Sequence, residues 1–421
     1  MDLQRLNQYP IEVYRGQMAN GLTVHVLPQD RMRVHLQYTL NAGAYQDVVP
    51  GTAHFLEHAL LNTSHDIKRA SWIGRFDRMG ASSNGTTHWL STSYEITGHA
   101  QNAIAMLEGL TRAVYASPEN DRAFRHARKV VMAEALEQNI GARHLDSWRA
   151  KQQFPDDTRL WVPLIGAPGS LRKMVLEDLR AIHARYYAPH NMLLTIAGGV
   201  GLDVLPELLA GITPLLDSVS ADGRVFPPRP NRPYVRHGRV FGARRIRMPS
   251  MPCLAFADLP IGRASLDTYR RLAFAARLLT SSNGLVTRAM RHERGGVYGV
   301  RSTSWAWPGQ LWRLEAVLRR PEARRFFDAV LGSLDQLSRE CIPDGLFDEL
   351  RMQRELSYSD DRFSNDVVEW VDPLEDDWLA DDYSFVADPM DGITLERVAE
   401  DVRRHWPTSE ISTYLLTGAS A

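Results

Sequence analysis

Two histidines and a glutamate fall within a little over one helical turn of each other, at His54, Glu57 and His58, in the stretch Ala53-His54-Phe55-Leu56-Glu57-His58-Ala59-Leu60-Leu61. On a helix, positions three and four apart share a face. These three side chains are therefore expected to project together, while Phe55, Leu56, Ala59 and Leu60 turn toward a core. Two imidazoles so spaced suit a divalent zinc ion, whose nitrogen ligands must be held rigidly at about 2.0–2.1 Å. Glu57 would then lie where a carboxylate can take a proton from water on such an ion. The competing reading is an amphipathic helix with two surface histidines.

The order His-x-x-Glu-His is the inverse of the commoner zinc-protease motif. Cys253 and Cys341 are the only cysteines, too few for a disulfide framework or a cysteine-rich metal site. Zinc would have to be held by histidine and carboxylate. The spacing from Asp121 to Ile140 predicts an amphipathic helix with Ala127, Val130, Val131 and Glu134 on one face. Glu134 is a carboxylate among small apolar residues, and a buried charge needs a partner. A metal is one such partner; Arg128 or Arg143 is another. Glu137 competes, but its side is shared with Ala133 and Gly141 and is the more open.

These residues sit in a chain of 421, beyond the roughly 250–300 at which one core stops growing, so two domains are expected. Lys and Arg total 49 against 50 Asp and Glu, a net charge of −1, which argues against a nucleic-acid-binding surface. Hydrophobic residues make up 44%, as in a soluble globular protein, and no apolar run approaches the roughly 18 residues of a membrane helix. Met1-Asp2-Leu3-Gln4-Arg5 lacks the charged-then-apolar pattern of a signal peptide. With so few cysteines, a reducing cytoplasm is the expected location.

Alternation on either side of Asn20-Gly21 predicts a hairpin between residues 13–17 and 22–27. Arg33 to Leu40 reads as a strand, and the His-x-x-Glu-His helix follows Gly51. Ile67 to Met79 reads as a helix. Gly80 to Thr87 reads as a small polar turn leading into a hydroxyl-rich strand over Trp89–Ile96. Helices are expected over Ala100–Tyr115, Leu171–Tyr187 and Leu202–Leu216, with an apolar strand at Met192–Ala197. Residues 224–233 hold four prolines in seven residues, incompatible with a helix or a central strand. They divide the chain into 1–223 and 234–421.

The second half shows strand-like segments in Arg244–Leu259, a helix over Leu266–Leu279, and a helix end, Gly-Gly turn and strand start across Arg291–Val300. A strand over Leu311–Leu318, helices over Glu322–Glu340, Gly345–Ser357 and Leu395–His405, and a last strand over Ile411–Leu416 complete it. The acidic group Asp372 to Asp377 with Asp381 and Asp382 reads as a solvated loop. Strand followed by helix-rich sequence, twice, suggests duplicated α+β domains.

Several of these segments together resemble the M16 family of zinc peptidases, the group of pitrilysin, insulinase and the mitochondrial processing peptidase. Residues 51–58 resemble its metal helix, Asn84-Gly85-Thr86-Thr87 its Asn-Ala-x-Thr turn, and Val130 to Glu134 the segment bearing its third ligand. Arg291 and Tyr298, seven apart around Arg294-Gly295-Gly296-Val297, resemble its Arg/Tyr pair. The resemblance implies a zinc endopeptidase of two similar α+β domains, each a mainly antiparallel sheet packed with helices, together half of a clamshell. It implies zinc on His54, His58 and Glu134, with a fourth place for water, and Glu57 as general base. Arg291 and Tyr298 would stabilise the oxyanion or hold substrate backbone. Asn84 would contact substrate backbone, and the strand from Leu90 to Ile96 would be an edge that pairs with an extended peptide.

Longer family members carry four such domains and enclose a chamber. Two domains then imply a homodimer, or a heterodimer with a related chain, with Arg291 and Tyr298 acting in cis or in trans. One departure stands out. The family usually has a second glutamate seven residues before the ligand glutamate, and this chain has Ala127 there. A carboxylate behind the ligands is then missing. That supports an alternative reading: a weak or inactive subunit that binds peptide or supports an active partner.

Overall fold

The computed structural model describes residues 1–7, 9, 11–62, 71–118, 121–138, 147–148, 150–151, 154–218, 241–246, 253–261, 264–292, 297–305, 311–359, 366–380 and 390–418. The chain falls into two compact units. The first takes Met1–Lys151, Thr158–Pro230 and Asp360–Ala387; the second takes Gln152–Asp157, Asn231–Ser359 and Asp388–Ala421. The proline-rich residues 224–233 lie outside the described ones. Among the described residues no helix is long and apolar enough to cross a membrane.

The first unit is built on strands β1 (Leu3–Arg5), β2 (Tyr14–Gln17), β3 (Thr23–Pro28), β4 (Arg33–Leu40), β5 (Ser82–Thr87), β6 (Thr92–His99) and β7 (Met192–Gly198). They form one sheet in the order β1-β2-β3-β7-β4-β6-β5, antiparallel throughout except for β3 beside β7. Its helices are α1 (Thr52–Asn62), α2 (Trp72–Arg78), α3 (Ala103–Tyr115), α4 (Asp121–Gln138), α5 (Pro168–Lys173), α6 (Leu176–Tyr186) and α7 (Leu205–Asp217).

The second unit carries β8 (Phe241–Ile246), β9 (Cys253–Pro260), β10 (Arg301–Trp305), β11 (Leu311–Leu318) and β12 (Ser412–Gly418). Their order is β10-β11-β9-β12-β8, with only β12 and β8 parallel. Its helices are α8 (Leu266–Thr280), α9 (Ala323–Ser338) and α10 (Leu346–Ser359), while α11 (Val371–Ala380) returns to the first unit and α12 (Leu395–His405) to the second. Read from the edge, β5-β6-β4-β7-β3 and β10-β11-β9-β12-β8 are one plan used twice. The fold is α+β with two similar, mainly antiparallel sheets.

Strand β4 shows how sequence period becomes a layered unit. Val34, Leu36, Tyr38 and Leu40 point to one face and join the main core with Phe55 and Leu56 of α1, as a period of two requires. His35, Gln37 and Thr39 point the other way and are also buried. That second face is covered from the far end of the chain: Val367, Val371 and Leu374 cluster with Leu6, Tyr9, Val13, Leu27 and Ala197. The acidic stretch expected as a solvated loop is thus in part helix α11. Its Glu375 is buried and accepts hydrogen bonds from Gln37 Nε2 at 2.6 Å and Thr39 Oγ1 at 2.9 Å. Asp381 and Asp382 lie outside the described residues.

Three further expectations are corrected. Residues 82–87 are not a turn but strand β5, paired antiparallel with β6; sheet pairing overrides a composition poor in strand formers. The hydroxyl-rich strand is not an edge, because β6 lies between β4 and β5, and β5 is the edge. The helix expected over 171–187 is two, because Met174 and Val175 are extended and Asp178 accepts from Val175 N at 2.8 Å, starting the chain into α6.

Candidate metal centre

Helix α1 is anchored before its first turn. Asp47 accepts from Gly51 N at 2.8 Å and Ala53 N at 2.9 Å, so amides that a helix start leaves unpaired are satisfied by its carboxyl oxygens. Gly51 has a φ of +93°, which a residue with a Cβ rarely adopts. From this start the helix is buried on almost every side: Ala53, Phe55, Leu56, Ala59, Leu60 and Leu61 are in the core. His54 and Glu57 are each only 6% exposed. The bland alternative of surface histidines is thereby removed for His54.

Helix α4 brings Glu134 to the same place. Its Oε2 lies 3.5 Å from His54 Nε2 and 3.3 Å from His58 Nε2. One ligand atom from each of the three residues falls within 4.8 Å of the others, and the two rings meet at 4.7 Å with a 72° tilt. Helix α4 turns Phe124, Ala127, Val131 and Ala135 into the core. Val130, expected on that face, is 38% exposed. Glu137, the competing carboxylate, is exposed.

The electrostatics follow from this crowding. Burial, with the charge of His58 added, pulls His54 down to about 4, so its imidazole is neutral at pH 7. For His58, burial pulls down, but the Glu134 hydrogen bond and the charges of Glu57 and Glu134 outweigh it and the net shift is up. Burial pushes Glu57 up, against the charge of His58 and a hydrogen bond from Thr87. That bond runs from Thr87 Oγ1 to Glu57 Oε2 at 3.0 Å. Gly85, two residues earlier on β5, makes room for the same carboxylate: a Cβ there would stand 2.6 Å from Glu57 Oε1.

A tetrahedral ion with ligand distances of about 2.0–2.1 Å has ligands about 3.3–3.4 Å apart. The two nitrogen–oxygen separations match that edge, the donors are two imidazoles and a carboxylate, and the set leaves a position open. The residues present therefore fit zinc. One feature falls short of a fully supported set. His54 Nδ1 is buried without a hydrogen-bond partner among the described residues, where a ligating histidine normally has one.

Asn84 is exposed on β5, opposite Glu95 of β6. Arg291 and Tyr298 belong to the second unit. Arg291 ends in the π-helical turn Arg288–His292, and its Cζ lies 5.5 Å from the centre of the Tyr298 ring. Tyr298 is 92% exposed. Residues 293–296 between them lie outside the described ones, and the strand that follows begins at Arg301.

Comparison with known proteins gives the family. The model for insulinase, peptidase family M16, matches residues 28–153, and that for the peptidase M16 inactive domain matches residues 173–354. The chain belongs to peptidase family M16. Among its curated relatives, the chloroplastic stromal processing peptidase of Arabidopsis thaliana is 23% identical over 232 residues, 52% of this chain and 18% of that protein. The probable zinc protease PqqL of Escherichia coli is 23% identical over 231 residues, 51% of this chain and 24% of that one. The match therefore spans about a fifth to a quarter of these relatives' length. Among solved structures, a protease from Helicobacter pylori superposes with a TM-score of 0.85 at 16% identity, over 97% of this chain and 100% of that one. The periplasmic protease PqqL from Escherichia coli gives 0.78 at 17%, over 98% of this chain and 48% of that one.

Asp47, Gly85 and Thr87 were not singled out by sequence for the roles they have here. Thr87 and Gly85 lay in a stretch read as a turn. The acidic residue shortly before a helix start was the one signal that could have found Asp47.

Proposed function

We propose that this M16 chain is a zinc-dependent endopeptidase acting on extended peptides. One observation carries the reading: two imidazole nitrogens and a carboxylate oxygen from two helices converge within 4.8 Å, with the buried Glu57 on the same turn. A bound zinc supplies Lewis-acid polarisation of the scissile carbonyl and brings the pKa of water toward about 7. Glu57 takes a proton from the attacking water as its oxygen bonds to the carbonyl carbon. It returns that proton to the amide nitrogen as the C–N bond breaks. Thr87 and the open space at Gly85 hold the carboxylate for both transfers.

Among the described residues strand β5 is the edge of its sheet, which turns a row of backbone donors and acceptors outward on one side. An extended peptide pairing there would run past Glu57, with Asn84 beside its backbone. In the same reading Arg291 and Tyr298 supply donors to the developing oxyanion. This chain matches 48% of the length of PqqL. That supports a working assembly of two such chains, identical or related, enclosing the peptide.

A second reading has its own support. Ala127 is fully buried, so no carboxylate stands behind the ligands at that point, and His54 Nδ1 has no partner among the described residues. A weak or inactive subunit that binds peptide beside an active partner would tolerate both. The match to the inactive-domain model covers 173–354 and includes none of His54, Glu57, His58 or Glu134.

Metal analysis and mass spectrometry of a digested peptide library test the two. The wild type is expected to carry about one zinc per chain and to cut extended peptides. Glu57→Gln should keep the zinc and lose about 10²–10⁴-fold of the rate. Unchanged cleavage in that variant sinks the mechanism. Tight zinc with no cleavage, alone or with a partner chain, favours the second reading.

A further inference from the structure

The two helices that carry the ligands are keyed together by a third segment, residues 165–174, which holds no ligand itself. Against the start of α1 it makes a backbone-to-backbone contact. Gly51 has φ +93° and Gly166 has φ +83°. A Cβ on Gly51 would lie 2.6 Å from Ile165 O, and one on Gly166 would lie 2.6 Å from Pro50 O. Ser170 Oγ donates to Pro50 O at 3.0 Å. Against α4 the same segment offers the carbonyl of Met174, which accepts from Arg128 Nη2. Leu171 and Met174 are buried in the main core, so neither end of the segment can slide freely.

A direct stack closes the loop. The Arg128 guanidinium sits 4.6 Å above the Phe124 ring. Phe124 in turn stacks on Phe55 with centroids 5.0 Å apart and planes 4° from parallel. Phe55 is the residue next to His54. The layers therefore run from a carbonyl of the segment, through Arg128 and Phe124 of α4, to the ligand turn of α1. Glu134 lies six residues beyond Arg128, about 9 Å along the helix axis at the usual rise. A small tilt of α4 at Arg128 is magnified there into a shift of the ligand oxygen.

We infer that residues 165–174 act as a wedge setting the separation of the His54/His58 helix from the Glu134 helix, with Gly166 and Arg128 as positioning residues for the metal. The inference rests on the zinc reading above and adds to it residues that touch neither metal nor substrate. A purely structural role can be told apart. While the metal-free protein stays folded, a uniform loss of stability leaves its zinc Kd unchanged. Only a change in ligand geometry moves it.

The test is the zinc Kd of the full chain, measured by competition with a chromophoric chelator, with the folding of the metal-free form followed by circular dichroism and thermal melting. Gly166→Ala and Arg128→Met should each raise the Kd about 10–100-fold, the usual cost of losing an outer support. Arg128→Lys, which keeps a cation over the Phe124 ring, should recover part of that loss. Ile212→Val, a core change in α7, should lower the melting point and leave the Kd alone. A Kd within twofold of wild type in a folded Arg128→Met or Gly166→Ala protein overturns the wedge; if one of the two does not fold, the other decides. His54→Ala separates the two failures. If it still binds zinc as the wild type does, the zinc reading itself falls and the wedge with it.

Discussion

The two units share one strand order and differ in what their helices bring face to face. In the first, α1 follows β4, α4 lies between β6 and β7, and His54, His58 and Glu134 meet between them. In the second, α8 follows β9 and α10 lies between β11 and β12, the same places in the plan. There Phe274 and Phe347 meet ring to ring at 5.1 Å and 63°. Among the described residues the one cluster spaced to hold a metal is in the first unit. Among the described residues a scaffold used twice thus assembles such a cluster once, as expected where a few side chains are set on a shared frame.

The units also bury polarity differently. The second fixes its sheet with an ion pair between Arg313 of β11 and Asp258 of β9. Nε and Oδ1 are 2.6 Å apart, and each side chain is 4% exposed. Asp258→Ala leaves the Arg313 guanidinium buried without this partner. The expected loss is about 3–5 kcal/mol, read by urea unfolding, with zinc content unchanged. If the variant also loses zinc, the two units are not as separable as their chemistry suggests.

Zinc should act on the other unit. At a free concentration one hundred times its Kd, a ligand of the folded state adds about 2.7 kcal/mol. Hydrogen exchange should show that protection in α1 and α4 and leave α8 and α10 as they were. Equal protection of all four helices would break the comparison.

Acid should act on the first unit through two buried groups that oppose each other. Every histidine buried among the described residues, namely His25, His35, His54 and His183, is in the first unit. Burial, with the charge of Arg15 added, lowers His25 to about 3 from 6.5. Between those values the unfolded chain binds a proton that the folded chain refuses, so stability falls as pH drops from 6.5 toward 3. The slope approaches about 1.4 kcal/mol per pH unit. Asp47, pushed up to about 7 by burial against its backbone donors, works the other way: its folded form keeps a proton that the unfolded form releases, and stability falls as pH rises toward 7. From pH 7 to 5 the stability of the wild type relative to His25→Gln should fall by about 2 kcal/mol, Asp47 acting alike in both, measured by urea unfolding with hydrogen exchange in β3.

What could be read from sequence divides along physical lines. The meeting of His54, Glu57 and His58 on one face was legible because a helix fixes spacing locally, and the three need only one turn. Glu134 was legible as a carboxylate on an apolar face. The alternation in β4 announced the core positions Val34, Leu36, Tyr38 and Leu40. It could not announce that His35, Gln37 and Thr39 are buried as well, because the helix that covers them comes more than 300 residues later, with Glu375 hydrogen-bonded to Gln37 across a separation of 338. Strand β5 was hidden for the same reason. Ser-Ser-Asn-Gly-Thr-Thr has turn composition, and only pairing with β6 makes it a strand. The proline-rich residues 224–233 lie outside the described ones, whereas the return of α11 to the first unit had no local signal at all.

The smallest effect on stability is expected at Tyr298, and it sharpens the comparison most. The side chain is 92% exposed, and the Arg291 guanidinium stands 5.5 Å from the centre of its ring. Tyr298→Phe keeps the ring and removes only the hydroxyl. A substitution so exposed should change folding stability by no more than about 0.5 kcal/mol, and zinc content should not move. Packing therefore gives no reason for a phenol here. If the hydroxyl donates to the oxyanion, kcat should fall about 10²–10³-fold with KM little changed, the usual cost of losing such a donor. If cleavage is untouched, the second unit lends no phenol to the chemistry.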